Sequence, residues 1–241
     1  MRPASSDLFP EPFLFIASDR REAEPWVTGW DDPHALNLPV HWVRAGKWRG
    51  RDVIAIANGV GAERAAAAIQ AAQTIATSFS GFVSIGTCGA LDPSLAIADI
   101  IVATSVTDGN TTWPALHPHG PPTRSGLVHS SPHIVRTIEE KRKLRQSGAI
   151  IVEMEAASVA RAAQELDVPF YCIRAVSDLA DESFFIDFEN FLMSDGRFNV
   201  PRLAMHAMAH PMKGLSELLR LQRRTSAAAK QLGGFLADCR F

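Results

Sequence analysis

Two acids bracket a methionine in VEMEAAS (152–158), and a third acid closes the run YCIRAVSD (171–178). All three end apolar stretches, where a carboxylate is costly to desolvate unless something pairs with it. Glu153 and Glu155 fall where a strand pattern gives way to an alanine-rich helix pattern. One reading is electrostatic: an acid at a helix N-terminus gains about 0.3–1 kcal/mol from the helix dipole. The other is chemical. An ionised carboxylate only accepts hydrogen bonds, and the vicinal hydroxyls of a sugar offer two donors at matching separation. Asp178 follows largely apolar residues, so burial would raise its pKa and make it a proton donor near neutral pH. It would serve equally as an N-cap for the LADES that follows.

Other patches carry less. GTCGALDPS (86–94) supplies glycines and a hydroxyl after a strand, a loop through which backbone N–H groups approach an anion or a base. It is neither GxGxxG nor a P-loop. Gly59-Val60-Gly61 makes a second tight turn before a helix. The HPH at 117–119 lacks a nearby acid or cysteine, so solvated histidines are expected there and no metal site. Cys88 has no histidine at fixed spacing and is a poor nucleophile candidate. The run KRKLR (141–145) follows two glutamates at helical spacing and reads as a solvated helix face.

These groups need a scaffold. Short apolar runs predict strands at Phe13–Ala17, Val40–Arg44, Val53–Ala57, Phe82–Ile85, Ile100–Val106, Leu127–His129, Ala149–Met154 and Phe170–Val176. GKWRGRD reads as a hairpin turn between the second and third of these. Helices are expected after NGVGAER, from Ser131-Pro132 to about Gln146, and over 156–166, with a C-terminal helical extension over 184–241 broken at Pro201 and Pro211. Alternating strands and helices give an α/β class, a three-layer αβα sandwich around a mixed, largely parallel sheet. Ligands in such sheets bind outside the carboxyl ends of the strands, so NGVG, GTCGA, EME and AVSD should share one rim.

Composition sets the limits. The 241 residues, 46% of them apolar, suffice for one large domain, and no linker divides residues 1–241. A formal charge of −2 gives no basic footprint for nucleic acid. Three scattered cysteines suit reduced thiols in a cytoplasmic protein. The opening MRPASSDLFPEP is polar and proline-rich, unlike a signal peptide, and no apolar stretch reaches the length of a membrane span.

Four patches then stand in a known order, the last two in one segment. NGVGAERAA, SIGTCGALDPSLAIADIIV and the unbroken VEMEAASVARAAQELDVPFYCIRAVSDLADE resemble the nucleoside phosphorylase and nucleosidase superfamily, which includes the methylthioadenosine/S-adenosylhomocysteine nucleosidases. The resemblance spans roughly residues 13–183. It implies that Glu155 holds the ribose hydroxyls, with Met154 packed on the sugar, and that Glu153 shapes the base side of the pocket. It implies that Asp178, beside Ser177, is the acid that meets the leaving purine, and that Thr87, Cys88 and Gly89 lie near the base and the attacking group. Glu22 stands near where the nucleosidases keep the carboxylate that activates water. Many phosphorylases carry an arginine shortly before the glycine loop; here that stretch is FVSIG, with Ser84, and Arg20, Arg21 and Arg64 are the substitutes for binding phosphate.

The segment TTWPA (111–115) and the C-terminal tail resemble the phosphorylases associated with hopanoid biosynthesis, which implies phosphorolysis of a lipid-linked adenine nucleoside such as adenosylhopane. The aromatic run SFFIDFENFL (183–192) would then either line a site for an apolar 5′-group or pack on the core. The leading expectation is therefore a purine nucleoside phosphorylase using inorganic phosphate and no cofactor or metal, assembled as a homodimer or larger, with transient lipid contact. Hydrolysis by a nucleosidase is the alternative. A non-catalytic nucleoside-binding protein is a third reading, against which the retention of both Glu155 and Asp178 argues.

Overall fold

The computed structural model describes residues 9–241. Most of the opening stretch read above as unlike a signal peptide, residues 1–8, lies outside the described residues. Runs of aliphatic residues without polar alternation are suited to strands covered on both faces. They form β1 (Phe13–Ala17), β4 (Arg51–Ala57), β5 (Gly81–Ala90) and β10 (Phe170–Asp178), with β1 parallel between β4 and β5 and β10 parallel to β5. The hairpin partner β3 (Trp42–Trp48) runs antiparallel to β4. Its turn is only Arg49-Gly50, both at positive φ, which matches the strand twist. The ladder takes in the rest of the expected turn, with Lys47 and Asp52 paired across it at 2.9 Å.

The sheet is mixed. β6 (Ile100–Thr107), β8 (Arg124–Ser130) and β9 (Ala149–Glu153) run parallel to one another, but β6 is antiparallel to β10 and β9 to β5. Because β10 also pairs with β5, these five strands curl into a closed ring, and β1, β4 and β3 extend from it. Helices α2 (Ala62–Ala72) and α4 (Ala156–Glu165) pack together on one face over a core that includes Leu14, Ile54, Phe82 and Ile151. On the other face α1 (Arg20–Val27) packs on α6 (Ser216–Asp238), with Phe15, Trp26, Val83 and Leu232 between them and the sheet. The result is the expected three-layer αβα sandwich.

Several elements depart from the sequence reading. The strand β5 continues through GTCGA, so that patch is strand end and not loop. Helix α3 (Ile138–Arg145) starts seven residues after Ser131, because Thr137 and Glu140 form a reciprocal capping box there. Helix α1 and the short strands β2 (Asp31–His34) and β7 (Thr112–Pro114) were not anticipated. A polar octamer with Pro25 inside reads poorly as a helix, yet the Asp19–Glu22 capping box nucleates it. Pro201 opens helix α5 (Val200–Ala209) in its first turn and does not break it, whereas Pro211 begins a single π-turn leading into α6. Among the described residues no helix is long and apolar enough to cross a membrane.

Candidate functional site

A cavity of about 480 Å³ opens where the ends of β5, β9 and β10 meet, within the size range of small-molecule sites. β5 and β9 pair only at Gly89–Val152 and Ala90–Ile151, so their ends cross at the cavity and bring GTCGA, EME and AVSD together. Thr87, Cys88, Gly89, Glu153, Met154, Glu155, Ser177 and Asp178 all line it, as does Glu22 from α1.

Asp178 is buried. It lies at a bulge in β10, where the register against β5 slips between Val176 and Asp178; bulges re-aim side chains beside active sites. A Cβ on Gly89 would stand 2.9 Å from Asp178 Oδ2, so the acid reaches the cavity only past a glycine. Burial pushes the Asp178 carboxyl above the usual carboxylate range, and Lys141 opposes that shift. Lys141 Nζ donates to Asp178 Oδ2 and to the Leu179 carbonyl, each at 2.5 Å. The side chain of this lysine is 1% exposed. The expectation of a solvated KRKLR face is thus wrong at its first residue. A signal was present: Ile138, Lys141 and Leu144 share one face of α3, and the lysine occupies an apolar position of that stripe.

Glu155 and Glu153, two residues apart, divide their work. Glu153 accepts from Arg174 Nη2, from Ser130 Oγ and from the backbone N–H groups of Glu155 and Ala156. Its carboxylate is engaged by an ion pair with Arg174 and by the start of α4, so it supports the cavity wall. Glu155 has one protein donor, the Gly61 N–H at 2.8 Å, and Arg174 at 3.9 Å. Burial, then the neighbouring Glu153, pushes its carboxyl up to about 8. An acceptor so lightly used is what a pair of sugar hydroxyls would complete.

Arg174 is fully buried in the strand β10, with Nη2 on Ser84 Oγ at 2.7 Å as well as on Glu153. Burial alone would weaken its charge; Glu153, Glu155 and Glu22 more than offset that. A side chain on Gly86, at φ +153°, would strike Arg174 and Glu22 together, so this glycine lets the two approach. Ser84 therefore props the buried arginine, and sequence reasoning gave Arg174 no role although a charge inside an apolar strand was the signal.

Glu22 is fixed by five donors. Oε2 accepts from Ser18 N, Ser18 Oγ and Asp19 N at 3.0, 2.9 and 3.2 Å, and Oε1 from Thr87 N and Oγ1 at 2.8 and 3.0 Å. The position assigned loosely from sequence is thus held rigidly on the cavity wall.

The arginines expected to bind phosphate are placed differently. Arg20 is exposed and Arg64 donates to Asn58 at 2.8 and 2.9 Å; neither lines the cavity. Arg21 reaches the rim, but it is 72% exposed and locked in a two-point pair with Asp19. Two residues of helix, about 200° of rotation, separate exposed Arg20 from buried Glu22 on α1. Trp113 of the TTWPA segment is buried against Gln164 of α4, away from the cavity.

The far end of the cavity is apolar, built by Phe184, Phe188, Phe198, Leu203, Leu218 and Leu221. The aromatic run is divided between a core and the cavity wall. Ile186, Phe188 and Phe191 are buried in a small core under α5, Phe184 and Phe188 face the cavity, and Phe185 stacks on His210 outside it. No group of three or more metal-binding side chains occurs among the described residues.

Comparison with known proteins agrees with this architecture. The 5′-methylthioadenosine/S-adenosylhomocysteine nucleosidase of Staphylococcus epidermidis is 28% identical over 194 residues, 67% of this chain and 84% of that enzyme. The Staphylococcus aureus (strain bovine RF122 / ET3-1) counterpart is 29% identical over 140 residues, 46% of this chain, and the match spans only 61% of that enzyme's length. Among solved structures, the nucleosidase of Neisseria meningitidis in complex with methylthio-immucillin-A superposes with a TM-score of 0.70 at 18% identity, covering 94% of this chain and 97% of that one. Futalosine hydrolase of Helicobacter pylori strain 26695 gives 0.69 at 17% identity, covering 94% and 95%. The sequence profile of the Phosphorylase superfamily matches residues 41–119 and 114–195, well over half the chain, and the protein belongs to that superfamily.

Proposed function

We propose that the protein cleaves the N-glycosidic bond of a purine nucleoside bearing an apolar 5′-group, with water as the nucleophile. The observation that carries this reading is the convergence of Glu22, Glu155 and Asp178 on one cavity whose other end is apolar, with no unengaged arginine among its lining residues. The curated relatives are nucleosidases, which supports water over the phosphate expected first from sequence.

The chemistry follows from where charge develops. As the glycosidic bond breaks, the sugar becomes electron-poor and the base takes the electron pair. Asp178, raised by burial, gives its proton to the departing purine, and Lys141 balances the carboxylate left behind. Glu155 accepts from the ribose hydroxyls more strongly as the ring gains positive charge. Glu22 orients a water on the sugar and receives its proton as the new C–O bond forms. Free purine and free sugar result, with no redox change. The Phe184 and Leu221 end of the cavity shelters the 5′-group at roughly 25 cal/mol per Å² buried.

The test is chromatographic detection of free base and free pentose from adenosines graded in 5′-substituent, by the wild type and by Asp178→Asn. Turnover should rise with apolar 5′-groups and fall by about two to four orders of magnitude in the variant, whose amide keeps the shape but has no proton to give. Near-normal turnover in Asp178→Asn would remove the acid from this scheme.

A further inference from the structure

The outer side of α5 carries a second apolar surface. Leu203 and Ala207 turn inward onto the small core, while Met205, Met208 and, within the π-turn, Met212 are 62%, 61% and 90% exposed. Pro201, Met205 and Met208 recur every three or four residues and make one stripe along α5, and Met212 stands exposed in the turn beyond it. Four of the chain's six methionines lie between positions 193 and 212. A helix apolar on both sides needs an apolar phase on each.

Charge says which phase. From 196 to 224 the sequence carries Arg197, Arg202, Lys213, Arg220, Arg223 and Arg224 but a single acid, Glu217. That acid is buried and accepts the backbone N–H groups of Phe185 and Ile186 at 2.7 and 2.9 Å. Arg197 pairs with Asp195, and Arg220 and Arg224 with Glu182, but Arg202, Lys213 and Arg223 have no carboxylate partner among the described residues. A two-fold contact with a second copy would set this cationic face against itself. An anionic bilayer offers the opposite charge at its surface and an apolar layer just beneath, the setting in which interfacial helices bury an apolar face and keep Lys and Arg at the headgroups. At the head of the same helix Val200 is 65% exposed and lines the cavity.

We infer that the α5–α6 elbow seats the protein on an anionic lipid surface, with Met205, Met208 and Met212 entering the interface and Arg202 and Lys213 meeting the headgroups. Lipid binding is separate from the cleavage reading, since its assay contains no nucleoside.

The experiment is flotation of the full chain with vesicles of phosphatidylcholine alone or mixed with phosphatidylglycerol. The wild type should float with the mixed vesicles and not with phosphatidylcholine alone. The triple variant Met205→Ser, Met208→Ser, Met212→Ser should bind at least about tenfold more weakly, with an unchanged melting temperature and unchanged base release from a small soluble nucleoside. Arg202→Glu with Lys213→Glu should erase the preference for phosphatidylglycerol. Failure of the wild type to bind either vesicle, or equal binding by the triple variant, would overturn the inference. So would a wild-type dimer that the serine variant dissociates, which would give the face to a second copy.

Discussion

At Asp178 two opposed effects meet. Burial disfavours its charge, and a lysine buried beside it restores part of that charge. Removing one partner of a buried pair leaves the other uncompensated, at about 3–5 kcal/mol. Lys141→Met should therefore lose about that much stability at neutral pH. The sign follows from linkage: with Lys141 gone, the folded pKa of Asp178 rises further above its unfolded value. The stability is then present at low pH and lost as pH rises through the folded pKa. Thermal unfolding across pH should show the deficit shrinking toward acid, and the double variant with Asp178→Asn should recover most of it. A pH-independent deficit would mean that the lysine only fills space.

Glu155 gives a second prediction at this scale. Its carboxyl is raised to about 8 in the unliganded site. Two hydroxyl donors favour the ionised form, so ribonucleoside binding should lower that pKa and release a proton. Below pH 8 affinity for a non-hydrolysable analogue should rise with pH, and calorimetry in buffers of different ionisation heat should register the proton. Glu155→Gln should abolish both effects, and a 2′-deoxy analogue should halve them or more. Proton uptake on binding would contradict the diol contact.

Elements decide which of these residues can meet. The strands were legible in sequence because buried aliphatic runs have few other uses, and the order of the patches was legible with them. The lengths were not. Whether GTCGA is loop or strand depends on β10 pairing beside it, which no local pattern reports. The same holds for KRKLR, whose inward lysine is paired by an acid 37 residues away. Arg20 and Arg64 were plausible phosphate ligands by type, but helix phase turns one outward and Asn58 engages the other. The segment leading into α5 and α6 closes the apolar end of the cavity. Phe184→Ala should weaken kcat/KM for 5′-alkyl or 5′-alkylthio adenosines by about 10- to 100-fold, the worth of burying an aromatic side chain. Adenosine itself should be nearly unaffected, as should all substrates in Phe185→Ala, because Phe185 lies outside the cavity. Equal losses on every substrate would move the 5′-group elsewhere.

For the whole molecule, α1, the head of α4 and the end of β10 bring Glu22, Glu155 and Asp178 to one cavity, and Arg174 ties Glu153, Ser84 and Glu155 to the sheet. The proposed choice of water as nucleophile rests on a carboxylate fixed by five donors, and on Arg21, the arginine that lines the cavity, being paired with Asp19. The most direct measurement is the initial rate of purine release by the wild type as inorganic phosphate is raised from zero. The account predicts the full rate in phosphate-free buffer, a flat response to added phosphate, free pentose as product, and loss of that rate in Glu22→Gln. A rate near zero without phosphate that rises and saturates as phosphate is added, with pentose 1-phosphate as product, would contradict it.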